Sequence, residues 1–372
     1  MRLASGAAAL THLGAGQAAN AQITTNARIV ILGAGAAGTA IANRMLRRLD
    51  GATITIVDGR AEHWYQPGFS LIAAGLMPPS YSISQTTDWL PSQVDLRADY
   101  AVGIDAENRT VSMQGGGTLS YDYLIIATGL VLDHDAIEGF DLAEVGSNGV
   151  GALYAGPDFA ASTWQAASAF VENGGVGLFT RPATEMKCAG APLKHTFLVD
   201  DLARTANSRG AMDLTYMANN DSLFGVPIVA EKVRMLFQDR GISAEYSHVL
   251  TAVDTSARRA TFATPSGLVQ RDYDYIHIIP PQRAPQFIRE SGLSWADKWV
   301  DQGWLDVDPH SLRHNRHPEI FAIGDIAGVP KGKTAASVKW QVPVVEEHLV
   351  AQISGDTTDA ACNGYTSCPL IT

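Results

Sequence analysis

The run Arg28-Ile-Val-Ile-Leu-Gly-Ala-Gly-Ala-Ala-Gly38 joins a short apolar segment directly to three glycines. The apolar residues are typical of a buried strand, and residues 39–49 repeat apolar side chains at the spacing of a helix. Gly33, Gly35 and Gly38 let the backbone turn tightly, approach a pyrophosphate and pack the helix on the strand. This segment predicts the first half of a dinucleotide-binding βαβ unit.

An acidic residue follows at the position that such a unit requires. The apolar segment 53–57 predicts a second strand, and Asp58 ends it twenty residues after Gly38. A carboxylate there accepts hydrogen bonds from ribose hydroxyls. No arginine follows Asp58 immediately, which favours an unphosphorylated ribose. This unit alone leaves NAD and FAD open.

Two later segments favour one of these cofactors. Tyr121-Asp-Tyr-Leu-Ile-Ile-Ala-Thr-Gly129 reads as a strand that enters a Thr-Gly turn, and Glu319-Ile-Phe-Ala-Ile-Gly-Asp325 as a strand that ends in an acid. Together with the first motif they resemble the flavoproteins with two dinucleotide-binding domains, in which this last aspartate holds the ribityl chain of the flavin. The resemblance implies FAD, bound by Gly33, Gly35, Gly38, Asp58, Thr128, Gly129 and Asp325.

The middle of the chain predicts a second Rossmann-like unit without its phosphate fingerprint. Its first strand is Gly175-Val-Gly-Leu-Phe-Thr180, and the sequence that follows is Arg181-Pro-Ala-Thr-Glu-Met-Lys-Cys188 instead of a glycine-rich turn. Pro182, Glu185 and Met186 would obstruct a pyrophosphate. We therefore expect this domain to keep the fold and to have lost NAD(P)H.

The predicted fold class is α/β, with an FAD domain, a degenerate NAD-like domain and a C-terminal segment that carries cysteines. We expect the boundaries to be 1–26 for a leader, 27–150 and 281–354 for the FAD domain, 151–280 for the second domain and 355–372 for the C-terminal segment.

Composition narrows the possible functions. The chain has 372 residues, 46 % of them hydrophobic and 17 % charged, which excludes disorder and indicates about two domains. The net charge of −11 and the absence of a basic block disfavour a nucleic-acid surface. No stretch reaches the roughly 18 apolar residues of a membrane span.

The first 21 residues differ from the rest of the chain. A weakly apolar run, residues 3–13, precedes Ala19-Asn-Ala21, the kind of small-residue site that signal peptidase cleaves. The segment predicts export and a periplasmic location, although only Arg2 stands before the run. The alternative is an alanine-rich leader without a function.

Two of the three cysteines lie in distinctive surroundings. Cys188 stands in Lys187-Cys-Ala-Gly-Ala-Pro-Leu-Lys194 at the predicted start of a helix, where the helix and two lysines should lower the pKa of its thiol. Cys368 stands in Gly364-Tyr-Thr-Ser-Cys-Pro369. For each cysteine alone, a buried apolar thiol is the alternative.

Taken together, these segments resemble sulfide:quinone oxidoreductases, within the flavin disulfide-reductase-like superfamily, and above all the subgroup that includes the mitochondrial enzyme. The resemblance runs from about residue 28 to residue 371. Besides the two cysteine contexts it rests on these short segments: His63-Trp-Tyr-Gln-Pro67, Ala73-Ala-Gly75, Leu223-Phe-Gly-Val226, Gly303-Trp-Leu-Asp-Val-Asp308, Ile323-Gly-Asp325 and Lys333-Thr-Ala-Ala336.

The resemblance implies a redox pair over the flavin. Cys188 and Cys368 would form a disulfide or a sulfur-bridged form of it, sulfide would leave a persulfide on one sulfur, and the freed thiolate would reduce FAD. Electrons would then pass to a quinone at the membrane surface. Lys333 matches the family lysine near the pyrimidine end of the flavin, where it would stabilise negative charge.

The chain also departs from the family pattern. Many bacterial relatives carry a cysteine soon after the Ala-Thr-Gly strand, and here Ala127-Thr-Gly129 has none nearby. We expect Cys362 to be dispensable, with a sulfur shuttle as the alternative. Family chains continue past the Cys-Pro-Leu segment into helices that dock on the membrane, so we expect the C-terminal segment to be truncated.

Other readings remain open at this point. A flavocytochrome c sulfide dehydrogenase would pass electrons to a cytochrome c, a type II NADH dehydrogenase would take them from NADH, and a flavoprotein kept as an interaction module would do neither. His134, His195 and Glu185 are candidates for handling protons, with a surface or structural role as the alternative for each, and the reach of His195 from Cys188 is uncertain. We expect no metal, and a homo-oligomer stays open.

Overall fold

A computed structural model describes residues 22–372. The export prediction falls on residues 1–21 and lies outside the described residues. Seven α-helices lie in the described part of the chain: α1 (Ala36–Arg48), α2 (Phe69–Ile72), α3 (Pro157–Asn173), α4 (Ala191–Thr205), α5 (Pro227–Arg240), α6 (Gln286–Glu290) and α7 (Ala335–Ser354).

Ten strands build two five-stranded sheets. In chain order they are β1 (Arg28–Leu32), β2 (Thr53–Val57), β3 (Asp95–Arg97), β4 (Tyr123–Ile126), β5 (Val150–Gly151), β6 (Gly175–Thr180), β7 (Met212–Met217), β8 (Ile242–Glu245), β9 (Tyr275–His277) and β10 (Ile320–Ala322). Both sheets are parallel throughout, with the orders β10-β4-β1-β2-β3 and β5-β9-β6-β7-β8. The predicted α/β class with two Rossmann-like sheets is confirmed.

The first sheet is covered on both faces, which explains its continuous apolar strands. In β1 the residues from Ile29 to Leu32 are all buried. Helix α1 turns Ile41 and Met45 into the same core, and its last turn carries Arg47 and Arg48, which complement the carbonyl end of the helix. Since β10 joins this sheet beside β4, the chain returns to it after the second sheet is complete.

The smaller strands form antiparallel or two-stranded additions at the edges: Ile23–Thr24 with Leu49–Asp50, Glu62–Trp64 with Ile83–Gln85, Ala101–Asp105 with Thr110–Met113 and Thr118–Ser120, Val131–Leu132 with Gln282–Arg283, and Val249–Asp254 with Arg259–Thr264 and Gly267–Asp272. The exact domain limits stay predictions.

The chain ends in a segment without helix or strand, residues 356–372. Leu370 packs against the core of the second sheet, and the hydroxyl of Thr366 lies 3.2 Å from that of Thr334, directly before α7. The segment is thereby held across both halves of the molecule. Among residues 22–372, no helix combines the length and the apolar character that crossing a membrane requires.

Candidate active site

The glycine loop after β1 has the geometry of a phosphate cradle. Gly33 has a φ of +99°, and a Cβ on it would strike the backbone carbonyl of Ala127. A Cβ on Gly38 would overlap the carbonyl oxygen of Gly33, so this glycine lets α1 pack on the strand. A Cβ on Gly35 would meet nothing within 4 Å. The space over Gly35 is therefore open, at the place where a pyrophosphate approaches the backbone.

The start of α1 fits a bound phosphate as well. Among the described residues no side chain caps this helix, and its first turn has no acidic residue, so the N–H groups of that turn are available to a phosphate. Asp58 Oδ2 accepts a hydrogen bond of 2.8 Å from the N–H of Ala34, and Oδ1 accepts one of 2.9 Å from the N–H of Arg60. These bonds fix the carboxylate and leave it lone pairs for ribose hydroxyls. The residues present fit FAD.

The other predicted cofactor residues end neighbouring strands of the same sheet. Thr128 and Gly129 follow β4, and Gly129 has a φ of +64° with open space around its Cα. Asp325 follows β10, and burial raises the pKa of its carboxyl while Lys187 and Lys333 oppose the rise. Because parallel strands end at one edge, all the predicted cofactor residues meet there.

Lys333 contacts both the carboxyl edge of the first sheet and the loop between β6 and α4, which carries Cys188 and is called the cysteine loop here. Its Nζ donates to the carbonyls of Asp325 at 2.6 Å and Ala327 at 3.2 Å, and it lies 4.1 Å from the ring centre of Trp304. Burial lowers the pKa of this ammonium to about 8. The backbone carbonyl of Lys333 accepts a hydrogen bond of 2.8 Å from the N–H of Cys188.

The two predicted redox cysteines meet. The Sγ atoms of Cys188 and Cys368 lie 2.7 Å apart although 180 residues separate them in the chain. Cys188 has a φ of +49°, a conformation that is unfavourable for a residue with a Cβ. A Cβ on Gly190 would lie 3.0 Å from the sulfur of Cys368, so any larger residue there would crowd that sulfur.

Charge at the pair is shared between the two sulfurs. The pKa of Cys368 is lowered to about 6 because its sulfur accepts a hydrogen bond from Cys188, with support from Lys194 and the N–H of Gly190. The pKa of Cys188 is raised because that hydrogen bond holds its proton and because it is buried. The sequence analysis expected the lowered pKa at Cys188, whereas within the hydrogen-bonded pair it falls on Cys368 and the pKa of the more deeply buried Cys188 is raised.

A buried lysine faces the pair, as the sequence suggested. Lys194 is 7 % exposed, and its Nζ lies 3.8 Å from Cys188 Sγ. Because α4 begins at Ala191, one helical turn brings the lysine back over the thiol that precedes the helix. The ammonium stabilises one negative charge on the pair.

Cys362 lies in a different environment. Its N–H donates to the carbonyl of His310 at 2.8 Å, and Nδ1 of His310 lies 3.1 Å from the carbonyl of Cys362. Burial raises the pKa of its thiol to about 11. This thiol packs against the first core and has no contact with the Cys188–Cys368 pair.

Tyr154 beside the pair escaped the sequence analysis, whereas His195, a candidate there for handling protons, is a buried core residue. Tyr154 packs in the same apolar cluster as Cys188, and its buried hydroxyl has no hydrogen-bond partner among the described residues. His195 is fully buried, its Nε2 lies 2.6 Å from the hydroxyl of Tyr275, and burial lowers its pKa to about 3. His195 is therefore a neutral core residue. No local sequence signal marks Tyr154, because its place depends on the packing of two distant segments.

Comparisons with known proteins find relatives by family, by sequence and by fold. The pyridine nucleotide-disulphide oxidoreductase family matches residues 27–153. The mitochondrial sulfide:quinone oxidoreductase of Mus musculus is 32 % identical over 98 % of this chain and 82 % of its own length, and that of Dictyostelium discoideum is 31 % identical over 93 % and 75 %. The crystal structure of the sulfide:quinone oxidoreductase from Aquifex aeolicus superposes with a TM-score of 0.75 at 18 % identity, over 89 % of this chain and 78 % of that one.

Proposed function

The chain belongs to the sulfide:quinone oxidoreductase family, and from this premise we propose that Cys188 and Cys368 are the redox pair through which it oxidises sulfide. It is an FAD-dependent oxidoreductase that takes electrons from sulfide and passes them to a quinone. The observation that carries the assignment of the pair is the 2.7 Å separation of its sulfur atoms beside the FAD edge of the first sheet.

In the first step hydrosulfide attacks a disulfide between the two cysteines. Both cysteines are half-buried, and we assign the attacked sulfur to Cys368 because its neighbours on the C-terminal segment are mostly exposed. A bond forms between sulfide sulfur and Cys368, the bond between the cysteines breaks, and Cys188 leaves as a thiolate. The ammonium of Lys194, 3.8 Å from Cys188 Sγ, stabilises that leaving group.

In the second step the outer sulfur is removed. A second hydrosulfide attacks it, so that a disulfane leaves and Cys368 becomes a thiolate. The disulfide between Cys188 and Cys368 then forms again and releases two electrons, which FAD, when bound, accepts and passes to the quinone. Lys333, whose ammonium lies beside Asp325, supplies positive charge at this edge.

The second sheet supports sulfide rather than NAD(P)H as the electron donor. At the carboxyl end of β6, where a dinucleotide fold carries its phosphate loop, stand Arg181, the buried Pro182 and then Cys188. The loop that would bind a pyrophosphate is replaced by the loop that holds the thiol.

Because a quinone is dissolved in the lipid bilayer, we infer that the protein binds to the membrane peripherally. Trp340 is 52 % exposed and Tyr365 is 47 % exposed, with ring centres 5.5 Å apart, close to the segment that carries Cys368. Such aromatic side chains favour the interface of a bilayer. The periplasmic side rests on the leader alone, whereas the relatives from Mus musculus and Dictyostelium discoideum are mitochondrial proteins.

Anaerobic addition of sulfide to the yellow holoprotein tests the proposal. We expect sulfide to bleach the flavin absorbance and a soluble ubiquinone analogue to restore it. NADH should leave the flavin oxidised. A flavin that sulfide does not reduce, in protein with a full FAD content, would contradict the proposed function.

A further inference from the structure

Two successive N–H groups of the cysteine loop are bound by residues far from it in the chain. The loop contains neither helix nor strand, so its backbone needs partners elsewhere. The N–H of Cys188 donates to the carbonyl of Lys333 at 2.8 Å, directly before α7. The N–H of Lys187 donates to the side-chain Oε1 of Gln282 at 2.9 Å, across 95 positions of the chain. Gln282 therefore holds the loop at the residue next to the thiol.

Gln282 is fully buried and reaches the cysteine loop a second time. Its own N–H donates at 2.7 Å to the hydroxyl oxygen of Thr184, which is also buried. The strand Gln282–Arg283 pairs with Val131–Leu132, which follows β4 and the Thr-Gly turn at the FAD edge. Arg283 adds a bond of 2.7 Å to Asp133. Through Gln282 the cysteine loop is thus fastened to the segment that leaves the first sheet.

The backbone of Cys188 requires such an anchor. Its φ of +49° is unfavourable for a residue with a Cβ, and a conformation of this kind persists only where the surrounding structure holds it. On the other side of Cys188, its carbonyl accepts a hydrogen bond of 2.7 Å from the N–H of Ala191, the first residue of α4. The bonds before and after Cys188 together fix the direction in which its Sγ points, 2.7 Å from Cys368 Sγ.

We propose that Gln282 is a positioning residue, which holds Cys188 towards Cys368 through the N–H of Lys187 and so sets how readily the two sulfurs join. The proposal rests on the proposed function, because it assumes that the pair alternates between disulfide and thiols. Two sulfurs held face to face have a high effective concentration for each other. When one sulfur can turn away, that concentration falls and the disulfide becomes easier to reduce.

The equilibrium between the pair and glutathione tests the proposal without sulfide or quinone. The holoprotein is equilibrated anaerobically with mixtures of glutathione and glutathione disulfide, in which two glutathione thiols are oxidised for each protein disulfide reduced. Alkylation and mass spectrometry then give the fraction of the Cys188–Cys368 disulfide. Gln282→Met keeps the size of the side chain and removes the acceptor. We expect its disulfide to be about 10-fold easier to reduce, a potential about 30 mV less negative than that of the parent.

Alkylation of the reduced pair gives a second readout. The hydrogen bond from Cys188 favours the thiolate of Cys368, so Gln282→Met should move the pH midpoint of its reaction with iodoacetamide upward. Thr184→Val, which removes the partner of the Gln282 N–H, should shift both quantities in the same direction by less and serves if Gln282→Met does not fold. Thr163→Val is the matched control: its buried hydroxyl accepts a hydrogen bond of 2.9 Å from the N–H of Ala152, and its loss should leave both parent values unchanged.

The outcomes separate this proposal from the redox function. If the parent forms the disulfide and Gln282→Met lowers Tm but leaves the potential and the midpoint unchanged, Gln282 has only a structural role and the proposal is overturned. Equal shifts in Thr163→Val would overturn it as well, since any lost buried hydrogen bond would then suffice. A parent that forms no Cys188–Cys368 disulfide would contradict the redox pair itself, and the role of Gln282 with it.

Discussion

The loops after β1 and β6 occupy the same position in two sheets that share the order of four parallel strands, β4-β1-β2-β3 and β9-β6-β7-β8. In each sheet the strand lies in the centre, and the loop leads from its carboxyl end into a helix. After β1 the chain has Gly33, Gly35 and Gly38 and an open cradle, whereas after β6 it has Arg181, Pro182 and Cys188. The topology provides the edge where ligands bind, and a few residues decide whether phosphate or sulfur chemistry takes place there.

The largest expected effect concerns the cysteine loop. Cys188→Ser, Cys368→Ser and the double variant should each lower the rate of flavin reduction by sulfide at least about 10³-fold, because residues that act as a unit are not additive. Stopped-flow absorbance measures this rate, and dithionite should still reduce the flavin in each variant.

Cys362→Ser is the matched control for these variants. Its thiol is partly buried like theirs but has no contact with the pair, so the variant should stay within a few-fold of the parent. A Cys368→Ser variant that keeps its activity while Cys362→Ser loses it would show that the wrong cysteine of the C-terminal segment has been assigned.

The next effect concerns the glycine loop. Gly35→Ala adds a methyl group where the protein itself leaves open space, so the fold should survive while FAD affinity falls about 10-fold or more, or ~1.4 kcal/mol. Equilibrium dialysis of FAD and the circular dichroism of the apoprotein measure both quantities. Gly210→Ala, also in open space but far from both loops, should bind FAD like the parent. Unchanged FAD affinity in Gly35→Ala would show that the pyrophosphate of FAD does not bind over Gly35.

A smaller effect concerns the pKa of Cys368 and the influence of Lys194 on it. In the reduced pair the pKa of Cys368 is about 6, so alkylation by iodoacetamide should rise with pH through a midpoint near that value. Lys194→Met removes a positive charge that favours the thiolate, so the midpoint should move upward by about one unit. Lys194→Arg should keep the parent midpoint. The thiol of Cys362, with a pKa near 11, should remain almost unmodified at pH 7. If Lys194→Met left the midpoint unchanged, the ammonium of Lys194 would not be stabilising the thiolate.

The last prediction is that nicotinamide nucleotides have no effect on the flavin. NADH and NADPH at millimolar concentration should not reduce the flavin, because the loop after β6 lacks the glycines that a pyrophosphate requires. Rapid bleaching by either nucleotide would show that the loop after β6, like the loop after β1, binds a dinucleotide.

The sequence predicts the first loop better than the second. Strand, glycines, helix and Asp58 follow one another within about thirty residues, so local pattern suffices for the FAD edge. The meeting of Cys188 and Cys368 was implied only by resemblance to a family, since it depends on residues 356–372 packing onto the start of α4.

Features that depend on long-range packing could not be predicted from the sequence. The approach of Cys368 to Gly190, the unpartnered hydroxyl of Tyr154 and the unpartnered Nε of Arg181 all depend on the packing of distant segments. The lowered pKa was expected at Cys188 because of its helix start, yet the hydrogen bond between the two sulfurs moves it to Cys368.

Mass spectrometry of the resting holoprotein tests the central claim most directly. After alkylation and proteolysis without reductant, we expect a peptide cross-linked between Cys188 and Cys368, directly or through bridging sulfur, while Cys362 is free. One equivalent of sulfide under anaerobic conditions should convert the cross-link to a persulfide heavier by one sulfur atom. A cross-link that includes Cys362, or both members of the pair alkylated in resting enzyme that oxidises sulfide, would contradict the account.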